Sequence, residues 1–235
     1  MTAKEIVAEL KRLGTDAYKH ALRKHNIPEP FYGVKVEDLK KFQRQIKQDY
    51  QLALDLFDTG IYDAMYLAGL IADDAKMTKK DLKKWLSKTK SGWLCDYTIP
   101  WVAAQSPHGW ELALEWIDSK KEDVASAGWG TLRSMVSVKA DADLDLKTLK
   151  KLLERVQKTI HTQPNNVRSL MNSFVIAVGS YVRPLSEFAI QTGTNIGLVT
   201  VDMGDTACKV PFAPEYIAKA CKRGTLEKKR KSTKC

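Results

Sequence analysis

Asp96 stands among Trp93, Tyr97 and Trp101, three aromatic residues spaced at i, i+4 and i+8, the interval that aligns side chains along one stripe of an α-helix. An ionised carboxylate stabilises positive charge beside it, and aromatic faces pack on cations. A carboxylate among such faces is a candidate for handling a cationic group. The competing reading is structural. Thr98 followed by Pro100 is a helix-start pattern, which would leave Asp96 in a turn and the aromatics in a core. All six tryptophans, Trp85, Trp93, Trp101, Trp110, Trp116 and Trp129, fall in one central stretch. Trp110, Trp116 and Trp129 read as large core residues where helices meet, and Trp93 and Trp101 stay as site candidates.

A second set of residues carries positive charge. Lys35, Lys40, Lys41, Arg44 and Lys47 crowd around one helical segment, and Arg183 lies further on. Asn165, Asn166 and Arg168 stand at a helix start, where backbone N–H groups beside an arginine make an anion site. Any one of these is ordinary on a solvated face; as a set they suit phosphate contacts. Basic residues number 38 against 28 acids, for a net charge of +10, and residues 221–235 hold much of the excess. That balance favours an acidic partner, most simply nucleic acid. His20, His25, His108 and His161 do not fall at ligand spacing with acids or cysteines, so no metal site is expected. Cys95, Cys208, Cys221 and Cys235 are irregularly spaced and read as reduced thiols. There is no phosphate-binding glycine loop, dinucleotide fingerprint or nucleophile elbow, and Met203–Lys209 reads as a packed loop.

The elements that would position these groups are helices. Apolar residues recur at three and four along the chain and almost nowhere at two. Thr2 and Glu5 have capping-box spacing, Ile6, Val7, Leu10 and Leu13 share a face, and Gly14 supplies a stop. A second helix is expected from Thr15 to about Lys24 and a third over Val36–Ile46. Further helices are expected near 50–58, 62–73, 79–88, 92–105, 108–118, 122–138, 146–160, 165–180, 183–197 and 213–222, with 197–211 the least helical stretch. The fold class is all-α. One domain is expected over 1–222, followed by a basic tail over 223–235, and periodicity leaves a closed bundle and a stack of helix pairs both open. No apolar run approaches the roughly 20 residues of a membrane span, and the N-terminus lacks the pattern of a secretory signal, so the protein is expected to be cytoplasmic.

The segment Phe31-Tyr32-Gly33-Val34-Lys35-Val36-Glu37-Asp38-Leu39-Lys40-Lys41 resembles the lead into the third helix of the DNA alkylation repair (AlkD-like) family, which has an aromatic pair, a glycine-valine, a basic residue and then a helix beginning Asp-Leu-Arg/Lys-Lys. The resemblance extends from about Ile6 to Lys222. It implies a HEAT-like, armadillo-type α-α superhelix of antiparallel helix pairs whose concave basic face cradles double-stranded DNA. Some members of that family are monofunctional glycosylases that excise N3- and N7-alkylated purines with no metal or organic cofactor.

In active members the chemistry rests on an aspartate after a tryptophan, an arginine one repeat later and a second tryptophan. Asp96 falls at the aspartate position, with Trp93 three residues before it where the family spacing is four. The stretch matching the arginine, Glu122–Gly128, contains none, and Arg133 lies well past it. Where the second tryptophan is expected, in Val178–Arg183, Ser180 stands with Tyr181 beside it. The resemblance implies Asp96 as the catalytic carboxylate and Trp93, Tyr97, Trp101 and Tyr181 as substrate contacts. The basic set and the Asn165–Arg168 helix start would hold the DNA backbone. The expected partner is duplex DNA, alkylated or branched, bound by a monomer without cofactor. A noncatalytic DNA binder and a protein-interaction scaffold are the alternatives.

Overall fold

In the computed structural model, which describes residues 1–90, 92–204, 209–226 and 228–234, the periodic segments are helices and no strand occurs among the described residues. The chain divides into two compact units, one built on Met1–His108 with Gly204 and Lys234, the other on Gly109–Met203 with the described residues of 209–233.

The first unit contains α1 (Ala3–Leu13), α2 (Asp16–Lys24), α3 (Val36–Ile46), α4 (Tyr50–Asp58), α5 (Tyr62–Ile71), α6 (Lys79–Lys88) and α7 (Ile99–Gln105). Side-chain oxygens start most of them. The capping box of Thr2 and Glu5 opens α1, Thr15 caps α2, Asp49 caps α4, and a second capping box of Thr78 and Asp81 opens α6. Every residue of α5 is buried, so this helix forms the centre of the unit, with α3 and α4 packed on it. On α4, Phe57 stacks face to face with Trp85 of α6, ring centroids 4.1 Å apart.

The second unit contains α8 (Gly109–Trp116), α9 (Glu122–Val138), α10 (Leu146–Thr159), α11 (Asn165–Tyr181), α12 (Ser186–Ile196) and α13 (Ala213–Lys222). The long α9 and α11 pack along each other, with Trp129 against Phe174 at 5.3 Å. Leu149, Leu152, Leu153 and Val156 give α10 one apolar face for the same core.

The helices fall where the spacing places them, and over 92–105 the continuous helix prevails over a start at Thr98. Thr98 and Pro100 do not start a helix: Thr98 has helical backbone angles and no side-chain cap, and the segment is helical from 92 to 105. Within it Leu94–Thr98 forms a π-helical turn in which the Ile99 N–H reaches back five residues to the Leu94 carbonyl. Proline explains the adjustment. Pro100 lacks an N–H and its ring would press on the carbonyl four residues earlier, and a wider turn absorbs both defects. Part of the Met203–Lys209 loop, residues 205–208, lies outside the described residues, as does Cys235.

Candidate functional site

The π turn aims the aromatic stripe. Trp93 and Tyr97 have centroids 6.2 Å apart at 66°, and Tyr97 and Trp101 lie 6.3 Å apart at 57°. Tyr66, from α5, meets Trp101 edge to face at 5.6 Å and 88°. These four residues wall a cavity of about 230 Å³. Its mouth is formed by Trp93 and Tyr97, which are 36% and 39% exposed, while Trp101 and Tyr66 are buried behind them. His25, at the end of α2, flanks Trp93 at 5.0 Å. The close seating of α5 under the π turn depends on Gly69, since a Cβ there would stand 2.3 Å from Thr98 Cγ2.

Asp96 shares the π turn with this cavity but is not one of its walls, and only 8% of the residue is exposed. Asp96 lies inside the helix expected over 92–105 and not in the turn of the competing structural reading, and it is buried there. Trp93, Tyr97 and Trp101 are brought together as their spacing requires. Tyr66 is the wall that sequence reasoning missed: its helix is buried all round and shows no distinct face, and the only signal was the i, i+4 pair with Tyr62, whose ring lies 6.3 Å away.

The Phe31–Val34 motif is a clamp. Asp63, wholly buried in the first turn of α5, accepts the Tyr32 N–H at 2.6 Å on one carboxylate oxygen and the Val34 N–H at 2.8 Å on the other. The Tyr62 N–H donates to the Pro30 carbonyl at 2.9 Å, and the Thr15 N–H to the Gly33 carbonyl at 3.0 Å. Gly33 has φ +77°, and a Cβ on it would stand 2.8 Å from the Thr15 carbonyl oxygen. This loop delivers the basic helix α3. Leu39 and Phe42 face inward, which puts Lys40 and Arg44 on one outward stripe, with Lys47 just past the end of the helix. Lys41 is turned away from that stripe and pairs with Asp38 at 2.7 Å, and Lys35 lies 3.6 Å from Glu37.

Behind the site helix, Lys234 Nζ donates to the Ala72 carbonyl at 2.8 Å and pairs with Asp74 at 2.9 Å, both side chains nearly buried. The second Asp74 oxygen accepts from Gln105 Nε2, the last residue of α7, at 2.8 Å. Burial pushes the Asp74 carboxyl above its ordinary value, with Lys234 and Gln105 pulling the other way. The last described lysine of the tail is therefore bound internally. In the second unit Lys229 is engaged too, on the Val136 carbonyl at 3.0 Å and Asp141 at 2.7 Å.

The helix start at Asn165 differs from the free anion site the sequence suggested. The Asn166 N–H donates to the Glu122 carboxylate at 2.7 Å, and Asn165 makes a reciprocal pair of hydrogen bonds with the Asp202 backbone, both 2.8 Å. Arg168 Nη2 lies 3.3 Å from Asn165 Oδ1. The protein's own carboxylate thus occupies the place of an anion there. Arg183 is exposed, its N–H donating to Asp141 at 3.1 Å, and Tyr181 is half-buried against the core of the second unit.

The profile of the DNA alkylation repair enzyme family matches residues 6–210. The chain belongs to the DNA alkylation repair family. It superposes with a TM-score of 0.91 and 32% identity, over the full length of both chains, on a solved structure described as one of "a new family of proteins related to the HEAT-like repeat DNA glycosylases with affinity for branched DNA structures". The all-helical fold is of this HEAT-like repeat type. Two curated relatives cover 95% of this chain and 99% of their own, over 228 residues: the uncharacterized proteins Lin0241 of Listeria innocua, at 29% identity, and Lmo0209 of Listeria monocytogenes, at 30%.

Within this alkylation repair fold, the positions that depart from the active pattern are largely buried. Of Glu122–Gly128, the stretch matched to the family arginine, Ala125–Gly128 is buried in α9 and forms part of a core. Ser180, at the second tryptophan position, is likewise buried in α11. No cluster of three metal-ligating side chains occurs among the described residues. No helix among them is long and apolar enough to cross a membrane.

Proposed function

We propose that this member of the DNA alkylation repair family binds branched or distorted duplex DNA through the phosphate backbone, without excising a base. The observation that carries this reading is the seclusion of Asp96: the carboxylate implied for catalysis is nearly buried and does not line the aromatic cavity. The missing arginine and tryptophan agree with it, and the structural neighbour described as having affinity for branched DNA supplies the substrate class. Lys35, Lys40, Arg44 and Lys47, with Arg168 and Arg183, are the proposed backbone contacts, and Trp93 and Tyr97 offer faces on which an exposed base or sugar can stack.

A second reading rests on the aromatic box. Its walls suit a cationic N3- or N7-alkylated purine, whose positive charge makes it both a cation–π ligand and a good leaving group. Asp96, in the same π turn as the wall residue Tyr97, would then stabilise the oxocarbenium-like sugar.

One experiment separates the two. Wild type and Asp96→Asn are incubated with duplexes carrying N7-methylguanine or N3-methyladenine and scored for base release, while anisotropy follows binding to a four-way junction and a linear duplex over a salt series. Junction binding that falls with salt, with no base released, is the expected result. Base release that Asp96→Asn abolishes would establish the second reading. Failure to bind DNA at any salt would overturn both.

A further inference from the structure

Within the second unit the chain does not trail away after α13. It leaves through a tight reversal in which Gly224, at φ +79°, donates its N–H to the Cys221 carbonyl at 2.9 Å and Thr225 donates to the Ala220 carbonyl at 3.5 Å. The Lys228 N–H returns to the Thr225 carbonyl at 3.4 Å, and the next two residues meet the end of α9. The last carbonyls of that helix have no partner within it. Lys229 Nζ donates to the Val136 carbonyl at 3.0 Å, and the Arg230 N–H donates to the Ser137 carbonyl at 2.8 Å. A cation is also the charge that this end of a helix dipole favours. Lys229 pairs in addition with Asp141 at 2.7 Å, and the other oxygen of that carboxylate accepts the Arg183 N–H at 3.1 Å. The tail and the turns that follow α9 and α11 are thus tied at one aspartate.

Capping α9 uses one side chain and one backbone N–H, and it leaves the rest of the segment's charge outside. Lys228, Arg230 and Lys231 are exposed, and their side chains form no ion pair or hydrogen bond among the described residues. Of the two acids in the turn Asp141–Asp143, the first is taken by Lys229, which leaves one against these three cations. A basic tail that serves only solubility gains nothing from being held, and ordering it costs conformational entropy. What order supplies is charge at a fixed spacing. Residues 228–231 cover at most about 10 Å of chain, the axial rise of about three phosphates of one strand.

We infer that residues 228–231 are an anchored basic strip that binds the DNA phosphate backbone, with Lys228, Arg230 and Lys231 as the contacts and Lys229 as the residue that positions them. This rests on the DNA-binding reading above and adds to it a contact carried by the second unit, whose geometry is set by Asp141 and the end of α9. Arg183, already proposed as a backbone contact, stands in a turn held by the same carboxylate.

The test uses the full-length protein. Lys228→Gln/Arg230→Gln/Lys231→Gln removes the three outward charges and keeps both anchors, because Arg230 is anchored through its backbone. Lys229→Met keeps those charges and removes the anchoring ammonium. Lys147→Gln/Lys151→Gln/Lys158→Gln, three exposed lysines of α10, controls for a general loss of net charge. Anisotropy is read on a four-way junction and on a linear duplex over a salt series, with circular dichroism as the fold check and hydrogen exchange at Arg230 reporting release of the tail. For the tail triple variant, affinity is expected to fall tenfold or more and the salt slope to drop by about three, one for each cation removed. Lys229→Met should speed exchange at Arg230 and weaken binding threefold or more, although it takes away no outward charge. The α10 control should change affinity less than twofold. A tail triple variant that binds like wild type, or loses no more than the α10 control, overturns the inference while leaving the DNA-binding reading standing. Wild-type affinity in Lys229→Met despite faster exchange overturns the anchored strip in favour of a loose polycation. A wild type that binds neither DNA at any salt overturns both readings.

Discussion

Asp63 is the residue whose replacement should disturb this fold most for the fewest atoms changed. Its two carboxylate oxygens accept two backbone N–H groups, from Tyr32 at 2.6 Å and Val34 at 2.8 Å, at a site with no solvent exposure. Two donors require two acceptors, and among side chains of this length only a carboxylate has them. A hydrogen bond to a charged acceptor contributes about 1.5–3 kcal/mol, so Asp63→Ala should cost about 3–6 kcal/mol. Asp63→Asn keeps one acceptor and turns an NH2 group toward the other N–H. It should cost about 2–4 kcal/mol, the loss of one bond plus one unsatisfied buried donor. Because the chain has two compact units, a single melting temperature would blur the effect. Hydrogen exchange of residues 31–35 reads it locally, alongside urea denaturation followed by tryptophan fluorescence. Exchange in that segment should accelerate by at least tenfold in Asp63→Asn, and DNA affinity should weaken with it as the lead into α3 loosens. A variant with wild-type exchange over 31–35 and a wild-type denaturation midpoint would refute the clamp.

Gly33→Ala forces a side chain into a positive φ and against the Thr15 carbonyl, so it should destabilise by about 1–3 kcal/mol, measured by urea titration. The Asp74 carboxyl, raised by burial, favours the folded state below the ordinary carboxylate range and loses that contribution as pH climbs through its raised value. Lys234→Met, which strands Asp74 without its cation, should therefore cost about 3–5 kcal/mol near pH 8 and distinctly less near pH 5, as urea denaturation across that range would report. Trp101→Ala, deep in the cavity wall, should cost about 3–5 kcal/mol of stability. Trp93→Ala at the mouth should change stability by less than about 1 kcal/mol and act on DNA binding, read by anisotropy.

The helices were legible because local rules sufficed for them. Thr2 with Glu5, Thr15 and Asp49 cap where their side chains can reach the next turn, and the apolar spacing of α3 and α10 points to one face each. Features made between distant segments were hidden. Asp63 looks like any acid in a first helical turn until Tyr32 and Val34 are folded onto it. The Asn165 helix start looked open to an anion because Glu122, which fills it, arrives from another helix. Lys234 read as part of a solvated basic tail because its partner Asp74 lies in a remote part of the chain. For the aromatic site, the stripe of Trp93, Tyr97 and Trp101 was visible and its fourth wall was not. A periodicity argument that assumes a constant angle per residue also has no way to register a π turn.

That turn leaves the site with a reserve of length. The helical segment from 92 to 105 carries one more residue than an α-helical ladder would accommodate over the same hydrogen bonds. A chain losing a single residue from Leu94–Thr98 could close into a regular α-helix, keeping Gln105 on Asp74. Trp93 and Trp101, which flank the turn, would keep their facing, while the residues inside it, Tyr97 among them, would be re-aimed. Deletions inside helices ordinarily shift everything that follows; here one would be absorbed on the spot and spent on changing what the cavity faces. Single-residue length variation at this turn is therefore an inexpensive route by which relatives of this chain could exchange one ligand for another while their cores stay the same.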